Sequence, residues 1–207
     1  MKKPGFFMSV VLLVIMAPSP GNTTSTGGQT LAQSAPPLRL THRLIRISQL
    51  DCSQYASPSA CTTWARSACS AATMTEIANY YAGLGQYRIT AIVQVEARIG
   101  EITPDEGLLH DSGIGRTMAH FGFTTSWGYS RTRDQLLQLA NEGAPVIVSF
   151  PPWLYAGGRL IVVTGGTGDE VLLADSSIWN CHSLSRQQFQ HWWAGFSAVV
   201  TPQGRQV

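Results

Sequence analysis

Apolar residues recur at helical spacing through the first half of the chain and gather into short strand-like runs in the second. Residues 67–81 place Ala71, Met74, Ala78 and Tyr81 on one face, the stripe of an amphipathic helix. Ser67 is positioned to cap its start and Gly83 to end it. Residues 90–99 repeat the pattern with Ile92, Val95 and Ile99. Residues 111–121 form a weaker version interrupted by Gly113 and Gly115, and residues 130–141 turn Leu136, Leu137 and Ala140 inward before Gly143. The period then changes. PVIVSF at 145–150, RLIVVT at 159–164, EVLLA at 170–174 and SAVVT at 197–201 read as strands. Between the last two, Ser185 and Gln188 have the spacing of a capping box, opening a helix that carries Phe189, Trp192 and Trp193. Ahead of everything, residues 43–50 alternate like a short strand, and residues 51–66 read as a loop. Helices first and an antiparallel sheet second predict an α+β domain.

The N-terminus follows a different pattern. Lys2 and Lys3 precede an apolar run from Phe6 to Ala17, which predicts a signal peptide or N-terminal anchor over residues 1–20. That run is shorter than the about 20 apolar residues a membrane span requires. Residues 21–37 are rich in Thr, Ser, Gly, Gln, Ala and Pro and read as a disordered linker. The remaining residues, 38–207, suffice for one domain with a full core. Lys2 and Lys3 are the only lysines, so beyond them twelve arginines balance twelve acids. A domain of zero formal charge has no electrostatic footprint for nucleic acid. Apart from the N-terminal segment, nothing suggests a membrane. The expected location is secreted or extracytoplasmic.

Candidate chemistry begins with four cysteines. Export permits disulfides, and three full pairings are possible. Cys52 and Cys61, nine residues apart in a polar stretch, are expected to close a small loop. Cys69 falls near the start of the first predicted helix, where free N–H groups and the helix dipole favour a thiolate and lower the thiol pKa. The plain alternative is a buried or disulfide-bonded cysteine, with Cys181 as its partner. The runs 159–164 and 170–175 flank GGTGD and predict a hairpin in which Val163 faces Val171 and Arg159 faces Asp175. Opposed residues share a face, so Arg159 and Asp175 are expected side by side. Cys181 and His182 with Cys69 are too sparse for a zinc site, and no cofactor is expected.

The order of these pieces resembles papain-fold cysteine peptidases of the bacteriocin-processing, double-glycine peptidase-like group. Family members resemble I-S-Q, a Cys-Gly-Pro-Ala-like helix start with a Tyr-Tyr-Gly-like end, G-x-P-V-I-V, G-H-x-x-V-V-x-G, Asp-Pro and F-x-x-W. Here those places read Ile47-Ser48-Gln49, Cys69-Ser70-Ala71-Ala72, Tyr80-Tyr81-Ala82-Gly83 and Gly143-Ala144-Pro145-Val146-Ile147-Val148. They continue as Gly158-Arg159-Leu160-Ile161-Val162-Val163-Thr164-Gly165, Asp175-Ser176 and Phe189 to Trp192. The resemblance spans about residues 38–202. It implies a bacterial protein with the nucleophile helix packed on an antiparallel β-sheet.

Carried over by position, the resemblance makes Cys69 the nucleophile, Gln49 an oxyanion donor together with the Cys69 N–H, and Asp175 the residue that orients the base. The base position holds Arg159. A guanidinium stays protonated at any physiological pH and cannot relay a proton, although its charge can hold a thiolate and pair with Asp175. The stretch from Gln49 to Cys69 is also long for the group. His182, seven residues past Asp175, is the one positional candidate for a substitute base. His42, His110, His120 and His191 have no positional argument.

Three functions follow as expectations. The first is a catalytically impaired peptidase-like domain, a pseudoenzyme that binds a peptide or peptide-like substrate in a cleft. The second is an active thiol hydrolase using Cys69 with another base such as His182. The third is a non-enzymatic secreted interaction domain with Cys69 bonded to Cys181.

Overall fold

The structure is a computed structural model that describes residues 43–154 and 158–205. The signal-like segment and the linker expected before residue 38 lie outside the described residues.

After a 3-10 turn at Cys52–Gln54, the chain forms α1 (Pro58–Trp64), α2 (Cys69–Ala82) and α3 (Ile89–Arg98). A two-stranded hairpin, β1 (Ile102–Thr103) and β2 (Gly107–Leu108), leads to α4 (Ser112–Ala119) and β3 (Phe123–Gly128). Then come α5 (Arg133–Asn141), β4 (Val146–Phe150), β5 (Arg159–Gly166), β6 (Glu170–Ala174), β7 (Ser183–Ser185), α6 (Arg186–Trp192) and β8 (Ser197–Pro202). The main sheet is antiparallel with the order β3-β8-β4-β5-β6-β7.

Both faces of this sheet are covered, which is why its central strands read as unbroken apolar runs. On one face Ile147, Leu160, Val162, Ala174, Ala198 and Val200 pack with Ala71, Met74 and Ile77 of α2, Ile92 of α3 and Ile114 of α4. On the other, Val146, Val148, Ile161, Val163 and Leu173 pack with Leu136 and Leu137 of α5 and Phe189 of α6. The capping box at Ser185 and Gln188 is formed in full, and α5 carries a second one from Thr132 and Gln135.

Four local expectations are corrected. Residues 43–50 form no strand. The Ile47 N–H donates to the Glu76 carboxylate and the Gln49 N–H to the Ser176 carbonyl, so this segment is tied down by single bonds rather than by a ladder. Residues 51–66 are not a plain loop, because Ser57 caps α1 through the Ala60 N–H and Pro58 takes the first helical position. Ser67 does not cap α2. Its hydroxyl donates to the Trp64 carbonyl, and Ala68 occupies the cap without a side-chain bond. The β5–β6 register is shifted, with Val163 facing Leu173 and a bulge between Val163 and Gly165. Gly166 is what permits the tight turn. A Cβ there would lie 2.3 Å from the Glu170 carbonyl oxygen, at a backbone φ of +148°.

Cys52 and Cys61 form a disulfide with 5.3 Å between their Cα atoms. It joins the 3-10 turn to α1, inside the long stretch between Gln49 and Cys69. Closing a loop of this size contributes about 2–3 kcal/mol. Replacing both cysteines by serine is expected to lower the melting temperature by about 5–10 °C, measured by circular dichroism.

Candidate active site

Cys69 is the first residue of α2, at the end of the sheet where β5 begins. It lines a cleft of ≈ 360 Å³ with Arg66, Ser149, Arg159 and the β1–β2 hairpin. That hairpin presses close to the helix entry. A Cβ on Gly107 would come within 3.0 Å of the Ser67 carbonyl oxygen, and Gly107 adopts a φ of +73°. Pro152 and Gly158, on the segment between β4 and β5, also line the cleft, while residues 155–157 lie outside the described residues.

Cys69 keeps partial exposure, yet the protein packed around it pushes the thiol pKa up. The largest cause is desolvation. A backbone hydrogen bond from Leu160 opposes it, the Glu96 carboxylate adds to it, and the Arg159 charge opposes it. The helix start alone therefore does not produce the depressed thiol pKa that its position predicts. The low dielectric around the sulfur outweighs the free N–H groups.

Arg159 and Asp175 are brought together by geometry that differs from the expected one. With Val162 facing Ala174, the two residues are not directly opposed. The register is moved by two positions on this side of the bulge, which preserves the face of every side chain. The long arginine still reaches across the diagonal, with Nη1 3.5 Å from Asp175 Oδ1, and both side chains are almost fully buried. The guanidinium also stacks on Trp179, its Cζ 4.2 Å from the ring centroid. Asp175 accepts further hydrogen bonds from the Ser177 N–H at 2.9 Å, the Ser177 hydroxyl at 2.8 Å and the Cys181 N–H at 3.0 Å.

Gln49 is buried beside the helix entry, with its amide already engaged. Nε2 donates to the carbonyls of Ala65 at 2.9 Å and Arg66 at 3.3 Å, and Oε1 accepts from the Ser176 hydroxyl at 3.2 Å. An amide nitrogen has two protons, so this arrangement leaves none for an oxyanion. Gln49 here braces the turn that leads into Cys69. The Cys69 backbone N–H, at the first helical turn, is the remaining donor in the expected pair.

His182 is not brought to Cys69. It is exposed, its Nε2 is 3.1 Å from the Asn180 amide nitrogen, and it lines a separate groove with Arg43, Tyr80 and Leu172. The Cys69–Cys181 disulfide expected as a rival is not formed, and both thiols are free. No group of three or more metal-ligating side chains occurs among the described residues.

Two participants escaped the sequence reading. Trp179 lies in a loop with no periodic signal. Glu96 looks like an ordinary polar residue of α3, yet it is wholly buried and accepts the Ser70 hydroxyl at 2.8 Å. Burial pushes its pKa up to about 8, against the opposing Ser70 bond. The folded state therefore holds a proton that the unfolded chain releases, so Glu96 makes stability fall as pH rises from 4.5 to about 8.

No protein-family model matches the sequence, and no curated protein is significantly similar to it. Solved structures share its fold. The peptidase domain of Streptococcus ComA, a bi-functional ABC transporter involved in a quorum-sensing pathway, matches with a TM-score of 0.57 at 19% identity. The match covers 78% of this chain and 100% of that one. A putative C39-like peptidase from Bacillus anthracis matches with a TM-score of 0.53 at 10% identity, covering 80% of this chain and 98% of that one. The chain thus has the α+β, papain-like fold of the bacteriocin-processing (C39) cysteine peptidases.

Proposed function

We propose that this chain, with the fold of a bacteriocin-processing cysteine peptidase, is an exported, catalytically impaired member of that architecture that binds a peptide or peptide-like segment in the Cys69 cleft. The observation that carries the reading is Arg159. It occupies the place the resemblance assigns to the catalytic histidine, lines the same cleft as Cys69 and pairs with Asp175. A permanently protonated guanidinium supplies charge at that place but no general base. Without a base, the thiol keeps its proton, and the raised Cys69 pKa acts in the same direction. Gln49, spent on two carbonyls, supports the same conclusion. Export is supported by the signal-like start and fits the Cys52–Cys61 bond.

An active hydrolase would need another proton acceptor beside Cys69, and His182 lines a different groove. The interaction-domain reading loses its specific prediction, since Cys69 and Cys181 are both free.

Binding is tested with a peptide library on the full chain. Expected is a subset of peptides held without cleavage, and loss of that binding when Cys69 carries a bulky maleimide adduct in a Cys181→Ser background. Undiminished binding after the cleft is blocked, or no binding by a folded chain, contradicts the proposal.

A further inference from the structure

Beneath the cleft, the first turn of α2 is anchored to α3 through a single buried acid. Ser70 follows Cys69 directly, and both Ser70 and Glu96 are 0% exposed. The Ser70 hydroxyl donates to Glu96 Oε1 at 2.8 Å, while Glu96 Oε2 has no hydrogen-bond partner among the described residues. α3 packs on α2 through apolar side chains such as Ile92, and a glutamine would accept the same serine hydroxyl. What only the acid adds is a charge that acts on the Cys69 sulfur.

We propose that Glu96 is a positioning residue for Cys69, holding the nucleophile turn through Ser70 and, once ionised, suppressing thiolate formation by its own charge. The inference rests on Cys69 being the reactive group of the site described above. Other charged groups surround this pair. Glu76 of α2 accepts the Ile47 N–H, and Glu101, which follows α3, pairs with Arg116 of α4 and His110. β1 brings only Ile102 and Thr103, while Arg66, the hairpin-turn acids Asp105 and Glu106, and Asp111, which accepts the Tyr129 hydroxyl, line the cleft with Cys69. From β5, Arg159 favours the thiolate, and Glu96 is the acid that opposes it. Two acids that interact in one buried space lose their protons in coupled steps. The sign follows from this coupling. Below about pH 8 Glu96 is largely neutral and leaves the thiol alone, and above that it is charged and repels a second negative charge.

The test is the rate of Cys69 alkylation by iodoacetamide across pH, read on the Cys69 peptide by mass spectrometry in the full chain. It requires neither peptide binding nor hydrolysis, so its failure is distinguishable from failure of the peptide-binding reading. Glu96→Gln keeps the hydrogen bond and removes the charge. Its rate should match the native chain near pH 7 and exceed it about threefold or more above pH 9. Ser70→Ala keeps the acid but removes a bond that favours its ionised form, so the pH at which the native rate lags should move upward. A Glu96→Gln ratio that is the same at every pH, or a Ser70→Ala profile identical to native, overturns the proposal.

Discussion

Replacing Arg159 with histidine should give the chain a Cys69-dependent peptidase activity well above that of the native protein. Imidazole at this position accepts a proton near neutral pH, whereas guanidinium does not. Asp175 is buried beside position 159 and is held in place by Ser177 and Cys181 rather than by Arg159 alone. The carboxylate expected to orient a base therefore keeps its own supports in the variant. Positioned general acid–base catalysis contributes roughly 10²–10⁴-fold. Hydrolysis by Arg159→His should exceed the native background by about 100-fold, at the low end because Gln49 has no amide proton to offer the oxyanion. Adding Cys69→Ala should return it to background. If a folded Arg159→His chain stays inactive, position 159 is not what disarms the site. The engaged Gln49 amide or the raised thiol pKa then carries the impairment.

Asp175→Ala should produce the largest loss of stability among single changes at the site. The carboxylate is 1% exposed and receives two backbone N–H groups, one hydroxyl and the Arg159 guanidinium. Its removal leaves the Ser177 and Cys181 amides without their acceptor and the arginine without its carboxylate. Each orphaned buried donor costs about 1–3 kcal/mol, and breaking a buried ion pair costs about 3–5 kcal/mol. The 3.5 Å separation of Arg159 and Asp175 makes that contact the weaker contributor. We expect a total near 3–5 kcal/mol and a fall in melting temperature of about 10 °C or more. Asp175→Asn, which keeps the acceptor oxygen, should recover part of it. A change under about 1 kcal/mol by urea denaturation would show that the loop after β6 is held by other contacts.

The elements that the sequence disclosed are those whose signal is local. The α2 helix, the Gly83 stop and the Ser185–Gln188 box depend on neighbours within a turn, and each forms where the sequence placed it, although α2 is buried on all sides from Ser70 to Tyr80 rather than along one stripe. Strand β3 went unread because its pattern of burial is irregular, with Trp127 and Ser126 open to solvent on an edge of the sheet. Residues 43–50 alternate like a strand, but their partners are a carboxylate on α2 and a loop carbonyl, both distant in sequence. The β5–β6 register depended on a bulge that loop length alone does not reveal.

The site divides along the same line. Cys69, Arg159 and Asp175 were placed by their order along the chain, and the fold sets Cys69 and Arg159 in one cleft with Asp175 beside the arginine. Gln49 sits near the helix entry, but its hydrogen bonds belong to Ala65 and Arg66, whose carbonyls no pattern in the sequence announces. Glu96 and Trp179 act through burial and stacking, which are properties of the assembled core.

The central claim, a peptidase-like cleft without its base, is tested most directly by incubating the native full chain and its Cys69→Ala variant with a peptide library and sequencing the products. The account predicts identical product profiles, with no cleavage that depends on Cys69. Cleavage by the native chain that disappears in Cys69→Ala would contradict it and would mean that a group other than the side chain at 159 takes the proton.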